Sequence, residues 1–483
     1  MATAGMTESA RIRSTLSHPI VDVDGHVVEL TPVIQEYVKQ VGGGDMVERY
    51  LDCAPIRDAY FQGNVARSPE DRRDKWTTMA HWWSQPTDTL DLATVGLPRL
   101  LNQRLEEFGV DFTTLYPSQG LFAPMIEDPE LRRVACRAHN MYAAELLGEF
   151  PDRMTGVAVI PMNTPQEAVE DLEYAVNELG LKGAVFSGNV RRPITRVQRE
   201  KPEAAELAYR MELFALDGDY DYDPLWAKCV ELKVAATFHG GIRAPGSHSP
   251  SNYVFNHVGG LMKGNHHLCK ALFMGGVTHR FPTLNFAFLE GGVGWAVQLF
   301  ADLMGHWEKR NSKAIHGLDP ALIDRDRFNE LVLEYGDELT RTKAEDIRAV
   351  LDRDSPRPAE LDDFVACGID TREDLRDRFV PTFFFGCEAD DPVNAVAFDR
   401  GVNPLGSTLQ IVYGSDIGHW DVPVMSDVLK EAYELVEHGA IDLDQFKQFT
   451  FDNPARLHAG MNPEFFKGTR VEAAVDKFLA AEV

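Results

Sequence analysis

The chain has 483 residues, of which 44% are hydrophobic and 25% are charged, a composition ordinary for a globular protein of one large domain or two to three smaller ones. Its net charge of −27 argues against nucleic acid or an anionic membrane as a partner. The six cysteines form no CxxC pair, which argues against a disulfide framework and predicts a cytoplasmic protein. No apolar run has the length of a signal peptide core or of a membrane span.

The first predicted strand, residues 20–26, follows a loose N-terminal arm over residues 1–18. It carries Asp24 and His26, and side chains two residues apart leave the same face of an extended strand. A carboxylate beside an imidazole suits a divalent metal, and the alternative is a buried aspartate with a capping histidine. Residues 31–97 then form a predicted irregular insertion that is rich in charge.

From residue 97 onward, predicted helices and strands alternate. The later strands are predicted at 110–117, 156–160, 183–187, 234–239, 284–290, 382–387 and 409–413. Helices are predicted at 97–108, 129–150, 165–179, 224–232, 257–274, 293–310 and 424–438. A polar insertion spans 190–222, and a charged, helical excursion spans 311–380.

This alternation predicts a parallel sheet, and eight strand–helix units predict a (β/α)8 TIM barrel with long insertions after strands one, four and six. The barrel is assigned to residues 19–464, and residues 465–483 form a C-terminal tail. An open, doubly wound sheet is the alternative, but no glycine-rich nucleotide turn follows strand one.

The residues at the strand ends carry the chemistry in such a barrel, because its active sites lie at the C-terminal ends of the strands. Strand one carries Asp24 and His26, strand five ends on His239, strand six ends on Glu290, and strand eight leads to Asp416. Any one of these residues is compatible with a structural role. Four strands that place ligand-type side chains at one end of a barrel indicate a metal centre.

Several motifs resemble one family of metal-dependent TIM barrels. The segments VDVDGH, TFHGG, RFPTLNFAFLEGG and YGSDIGHWD are similar to amidohydrolase-type barrels, above all to the branch of aminocarboxymuconate-semialdehyde and resorcylate decarboxylases. The terminal FDNPARLHAG is similar to that branch's closing Asn-x-x-Arg-Leu segment. The resemblance covers residues 18–190 and 223–460.

The resemblance implies that Asp24, His26, His239 and Asp416 are metal ligands. The chain departs from the family pattern in two places. It has Asp-x-His where the family usually has His-x-His, and Glu290 stands where the decarboxylases carry a catalytic histidine. Glu290 is therefore expected either to ligate metal or to take over proton transfer. Three carboxylates and two imidazoles suit iron, manganese or zinc.

A second metal is a further hypothesis. His257 would be its ligand if that side chain faces the barrel mouth, and otherwise lies on the solvated face of its helix. The LEGGVGW run and the long insertions are similar to the TIM-barrel nonheme diiron monooxygenase of platensimycin and platencin biosynthesis, from a group thought to act on CoA-linked substrates.

Three other residues have predicted roles. His419, three residues past Asp416, is a candidate for proton transfer. Arg243, four residues past His239, is a candidate cation for binding a substrate carboxylate or phosphate, with a plain surface arginine as the alternative. Asp22 is expected to have a structural role beneath the site.

The preferred interpretation is a nonheme diiron monooxygenase that hydroxylates a bulky acid, such as a CoA-linked diterpenoid, with two Fe, O2 and an electron donor. The alternative is a mononuclear Zn- or Mn-dependent hydrolase or decarboxylase of the amidohydrolase superfamily. A non-enzymatic binding protein on the same barrel is a third class. Metal content separates the three: two irons, one zinc or manganese, or none. The resemblance also implies a homodimer.

Overall fold

Ten strands occur in the described part of the chain. The computed structural model describes residues 5–53, 55–56, 69–73, 88–188, 190–205, 208–240, 249, 252–351 and 361–482. The strands are β1 Val21–Val27, β2 Phe112–Pro117, β3 Met154–Ile160, β4 Gly183–Phe186, β5 Arg191–Pro193, β6 Tyr209–Met211, β7 Ala236–Phe238, β8 Phe286–Phe288, β9 Phe383–Glu388 and β10 Gln410–Gly414. Eight of them pair in parallel in the order β1-β2-β3-β4-β7-β8-β9-β10. The other two, β5 and β6, form an antiparallel pair between β4 and β7.

The ends of this sheet meet and nearly close it. The Asp416 N–H donates to the Asp24 carbonyl at 2.9 Å, and the His26 N–H donates to the Ile417 carbonyl at 3.1 Å. The predicted (β/α)8 TIM barrel is confirmed, and the open sheet is excluded. Strands β7 and β8 are shorter than predicted, because their pairing ends at Phe238 and Phe288.

Helices cover the outside of the barrel. Helices that follow strands along the chain include Pro129–Tyr142, Pro165–Glu173, Asp223–Leu232, Gly260–Met274, Gly294–Arg310 and Val428–Glu437. The other α-helices are Glu8–Thr15, Thr31–Gly42, Gly44–Asp52, Pro69–Arg73, Thr89–Gly96, Pro98–Arg104, Thr195–Glu200, Tyr253–His257, Val277–Arg280, Arg325–Tyr335, Glu338–Thr342, Ala344–Leu351, Arg372–Phe379, Leu443–Lys447, Asn453–Ala459 and Glu472–Glu482. None of the described helices combines the length and apolarity that a membrane crossing requires.

Helix starts follow local capping chemistry. Asp128 accepts hydrogen bonds from the backbone N–H groups of Glu130 and Leu131, and Pro129 occupies the first turn of its helix. Thr164 caps the next helix in the same way, again before a proline. An N-cap acceptor satisfies N–H groups that have no partner within the helix, and proline there costs no hydrogen bond.

Two segments are more ordered than predicted. Residues 5–18 are not a loose arm: helix Glu8–Thr15 is capped by Thr7, and its Ile12 is buried. The irregular insertion predicted over 31–97 is likewise wrong in its described part, which is largely helical. In helix Thr31–Gly42 the side chains of Ile34, Tyr37 and Val38 are buried, at the three- and four-residue spacing of a helical apolar face.

The core around β7, β8 and β9 is aromatic. Phe288 lies between Phe238 and Phe385, with ring centroids 5.8 Å and 6.3 Å away and planes nearly parallel. These side chains are buried, and their packing fixes the position along the barrel axis at which each strand ends. The strand ends that follow them, at His239 and Glu290, are therefore held by a rigid scaffold.

A buried histidine far from the barrel mouth predicts acid sensitivity. His458 stacks on Phe465 at 4.3 Å, and burial lowers its pKa to about 3. Because the unfolded chain binds this proton below about pH 6.5, stability is lost as the pH falls from 6.5 toward 3, by about 2 kcal/mol at pH 5. His458→Phe should remove that loss.

The measurement is urea unfolding at pH 7 and pH 5, with chelator present to keep metal out of the comparison. His438→Gln, at an exposed histidine, is the control and should behave as wild type. An equal acid loss in wild type and His458→Phe would show that His458 is not responsible.

Candidate metal centre

Four side chains from three strand ends converge at the barrel mouth. The His26 Nε2 atom lies 3.0 Å from His239 Nε2 and 3.3 Å from Asp416 Oδ1. The Asp24 Oδ1 atom lies 3.4 Å from His239 Nε2 and 3.7 Å from His26 Nε2. All four residues are buried.

The donor atoms of Asp24, His26 and His239 lie within 4.8 Å of one another and suit one divalent ion, whereas Asp416 forms an overlapping group with His26, Glu290 and His419. Ligand bonds of about 2.0–2.2 Å place neighbouring donor atoms about 2.8–3.6 Å apart in octahedral or tetrahedral geometry. Three of the four distances fall in that range, and the fourth is slightly longer. Asp24 Oδ1 and Asp416 Oδ2 are buried and accept no hydrogen bond. Buried carboxylate oxygens ordinarily have a partner, and a cation would supply it.

The backbone at the strand ends is shaped for this convergence. A register shift between Asp22 and Gly25 interrupts the pairing of β1 with β2. A Cβ atom at position 25 would lie 2.7 Å from Thr113 Oγ1 and 2.8 Å from Asp22 Oδ2, so only glycine fits there. Asp416 and Glu290 both adopt the left-handed region, with φ of 47° and 53°. Such conformations cost free energy and cluster at functional sites.

Asp22 ties the ligand-bearing segments together from below. Its Oδ1 accepts hydrogen bonds from the N–H groups of Asp24 (3.1 Å) and Ser415 (2.9 Å). Its Oδ2 accepts from Thr113 Oγ1 (2.8 Å) and Ser415 Oγ (2.7 Å). Burial raises its pKa to about 6, and these hydrogen bonds oppose that rise. Asp22 thus holds Asp24 and the residue before Asp416 in fixed positions.

We predict that Asp22→Ala weakens metal binding by about tenfold or more, because residues that orient ligands typically have effects of that size. The variant should also lose about 3 kcal/mol of stability, since buried N–H donors lose their acceptor. Asp22→Asn keeps an acceptor oxygen and should retain most of both properties. Metal titration and urea unfolding measure the two effects, and unchanged metal affinity in Asp22→Ala would remove Asp22 from this role.

Glu290 connects the four-residue cluster to a second one. Its Oε2 atom lies 3.2 Å from His239 Nε2, and its Oε1 atom lies 3.9 Å from His257 Nε2. His257 Nε2 is in turn 3.8 Å from Asp421 Oδ2. His257, Glu290 and Asp421 form another group with metal-ligand chemistry. The imidazole of His257 therefore faces the mouth and not solvent alone.

His419 lies beside the cluster. Its Nδ1 atom is 2.7 Å from Asp416 Oδ1, and its ring lies against that of His26 with centroids 3.9 Å apart and planes tilted by 34°. On the other side, its Nε2 atom is 3.4 Å from Ser118 Oγ. The side chain is 19% exposed. His419 can therefore pass a proton between the buried Asp416 and the solvent side of the site.

Burial dominates the electrostatics. It raises the pKa of Asp416 well above its usual range, with further contributions from Asp421 and Asp24. Burial and the charge of Asp416 do the same for Glu290. The pKa of His26 is lowered well below its usual value by burial and by the neighbouring imidazoles. Each of these pKa shifts reflects the cost of charging a buried group that has no counter-ion. A bound cation would lower the pKa of the carboxylates again.

Two acidic residues at the mouth have no predicted role. Asp421 belongs to the YGSDIGHWD segment, and Glu388 is the last residue of β9. Burial, followed by the charge of Asp421, raises the pKa of Glu388 to about 7. The strand predicted at 382–387 ends on Glu388 when it is extended by one residue, and active-site residues of a barrel lie at strand ends. No local sequence pattern indicates Asp421. Arg243 lies outside the described residues.

Together the barrel and its convergent donor set define a metal-dependent TIM-barrel enzyme. The amidohydrolase family model matches residues 78–339, more than half of the chain, and the chain belongs to that family. The matched region contains His239 and Glu290, whereas Asp24 and Asp416 lie outside it.

The named relatives are decarboxylases. The chain is 28% identical to decarboxylase orsB of Emericella nidulans over 245 residues, which cover 46% of this chain and 65% of that protein. It is 28% identical to the gamma-resorcylate decarboxylase of Polaromonas sp. over 138 residues, 28% of this chain and 36% of that protein. The chain therefore spans less than two thirds of these curated relatives. A manganese-bound dihydroxybenzoic acid decarboxylase from Polaromonas sp. has a TM-score of 0.46 at 14% identity, with 93% and 99% of the two chains covered.

Proposed function

We propose that this protein is a decarboxylase of organic acids that uses one divalent ion, Mn2+ or Zn2+, held by Asp24, His26, His239 and Asp416. The observation that carries the proposal is the convergence of Asp24, His26 and His239 at the spacing of a coordination shell, with Asp416 Oδ1 3.3 Å from His26 Nε2. The two curated relatives named above support decarboxylation over hydrolysis and over oxygenation. A mononuclear Zn- or Mn-dependent decarboxylase is the alternative that the sequence also indicates beside the diiron monooxygenase.

A bound divalent ion would supply positive charge for the oxygens of the acid and for electron density left on the substrate. Cleavage of the carbon–carbon bond releases CO2, and the electron pair stays on the substrate carbon, which takes up one proton. Glu290 is placed to deliver that proton, because its side chain is 5% exposed and its Oε2 atom lies 3.2 Å from the metal-ligand candidate His239. His419 then links Asp416 to Ser118 and the solvent side, a route for proton exchange.

The test is metal analysis together with an assay of CO2 release. Protein depleted of metal and reloaded with Mn2+ or Zn2+ should bind about one ion per chain. It should then release CO2 from at least one member of a panel of aromatic and unsaturated acids that includes 2,6-dihydroxybenzoate. Protein that binds no ion, or that carries one ion and hydrolyses esters or amides but releases no CO2, would contradict decarboxylation.

A dinuclear oxygenase is the second candidate. It is favoured by Glu290, whose two oxygens face His239 and His257 in two different clusters. A carboxylate in that position could bridge two ions. Two irons per chain and oxygen uptake with a CoA-thioester acid would support this candidate, with an electron donor required. None of the relatives named above is an oxygenase, so it ranks second.

A further inference from the structure

The two imidazoles of the candidate metal centre lack a hydrogen bond that ligating histidines ordinarily make. The Nδ1 atoms of His26 and His239 are buried, and neither has a hydrogen-bond partner among the described residues. A histidine that binds metal through Nε2 usually donates its Nδ1–H to a carboxylate, a carbonyl or water, and that bond orients the ring. In the described part of the chain, the orientation of these two rings therefore has another source.

The hydrogen bonds that hold the carboxylate ligands do not extend to the imidazoles. Asp22 accepts hydrogen bonds from the backbone N–H groups of Asp24 and Ser415, and from the hydroxyl groups of Thr113 and Ser415. These contacts account for both of its oxygens, and none of them involves a histidine. Asp22 thus fixes the segments that carry the carboxylates and leaves the two imidazole rings free to turn.

An aromatic ring packs against both imidazoles. The ring centroid of Tyr116 lies 6.3 Å from that of His26, with planes 47° apart, and 5.7 Å from that of His239, with planes 33° apart. Tyr116 is fully buried and pairs in register with His26 across β1 and β2. Residues paired in this way on neighbouring strands point to the same face of the sheet, so the tyrosine ring lies inside the barrel beside both ligands.

The hydroxyl group of Tyr116 anchors this ring on the far side of the barrel. It donates a hydrogen bond to Thr237 Oγ1 at 2.9 Å, and Thr237 Oγ1 donates to the Ala184 carbonyl at 2.8 Å. Thr237 lies two residues before His239, so both of these side chains leave the same face of the chain. The two hydrogen bonds join β2 to β7 and β4, and they hold the tyrosine ring in one position against the imidazoles.

We propose that Tyr116 is a positioning residue for the metal centre, whose anchored ring orients His26 and His239 by packing in place of hydrogen bonds to Nδ1. The inference rests on the proposed function in one respect, since it requires that the two imidazoles bind the metal ion. It does not depend on the reaction that follows. A close-packed neighbour that cannot move restricts the torsion of a buried ring, because turning the ring would require overlap of atoms.

The experiment is Co2+ titration of the full-length protein, followed by visible absorption, because the Co2+ spectrum reports coordination geometry as well as affinity. Tyr116→Met fills the space with a flexible chain and should lose about tenfold or more in affinity, with a changed spectrum. Tyr116→Phe keeps the ring without its anchor and should lie between wild type and Tyr116→Met. Thr237→Val removes the acceptor with little change in shape and should behave like Tyr116→Phe.

Tyr222→Leu is the control, because Tyr222 is also buried and its hydroxyl group donates to the Met162 carbonyl. This variant should melt at a lower temperature but keep the Co2+ affinity and spectrum of wild type. A merely structural role for Tyr116 would give Tyr116→Met the same behaviour, and that result would overturn the proposal.

If Tyr116→Met does not fold, the Co2+ spectra of Tyr116→Phe and Thr237→Val decide. Wild-type spectra in both variants would overturn the proposal, and an altered spectrum in either would support it. Wild-type protein that binds no Co2+ would overturn the metal centre and this inference with it. One bound ion without CO2 release would contradict the decarboxylase assignment alone, because the titration involves no turnover.

Discussion

Replacement of Asp416 by alanine should reduce divalent metal affinity by at least about a hundredfold and abolish turnover, while the barrel stays folded. Asp416 lies where the loop after β10 meets β1, and its buried Oδ2 atom accepts no hydrogen bond, whereas its Oδ1 atom faces the imidazoles of His26 and His419. A group of this kind costs free energy in the metal-free protein. The variant should therefore melt at the same temperature as metal-free wild type, or higher.

Metal stoichiometry and thermal melts with and without Mn2+ measure both parts of this prediction. Wild type should gain stability from Mn2+ by mass action, and Asp416→Ala should not. His239→Ala should behave in the same way, because its Nε2 atom lies within 3.4 Å of both His26 and Asp24. Asp476→Ala, at an exposed position in helix Glu472–Glu482, is the control. Full metal occupancy with a lowered melting temperature would give Asp416 a structural role instead.

Replacement of Glu290 by glutamine should separate the two candidate functions. In the decarboxylase, Glu290 holds a proton and the single ion is bound by other residues. Glu290→Gln should then keep about one ion per chain and lose about 10²–10⁴-fold in turnover, the usual effect of removing a general acid. In the dinuclear oxygenase, Glu290 helps to balance two ions, and the variant should lose one of two irons together with oxygen uptake.

Glu290→His is the matched variant, because the resemblance to decarboxylases places a histidine at this strand end. It should retain turnover to within about tenfold, since an imidazole also transfers protons. Metal per chain, CO2 release and oxygen uptake are measured on wild type and both variants. Turnover of Glu290→Gln equal to that of wild type would exclude Glu290 as the proton donor.

The barrel and its metal-binding end follow from local sequence patterns. Alternating apolar strands and helices predict the order of the elements, because each pattern reflects burial within its own element. In a parallel barrel all strands end at one side, so His239 and Glu290, although separated by 50 intervening residues, could be placed together with Asp24. Prediction failed in the described part of 31–97, where helix Thr31–Gly42 has Ile34, Tyr37 and Val38 buried at helical spacing.

Only the tertiary structure brought out how the strand ends combine. The role of Asp22 depends on Thr113 and Ser415, which reach it from β2 and from the loop after β10. The approach of His257 to Glu290 and Asp421 likewise depends on how three loops fold over the mouth. A sequence pattern specifies the faces of one element, whereas these contacts depend on barrel closure and loop packing. The grouping of Glu290, Glu388 and Asp421 at the mouth is for that reason a property of the folded chain, since these carboxylates come from segments that meet only when the barrel closes.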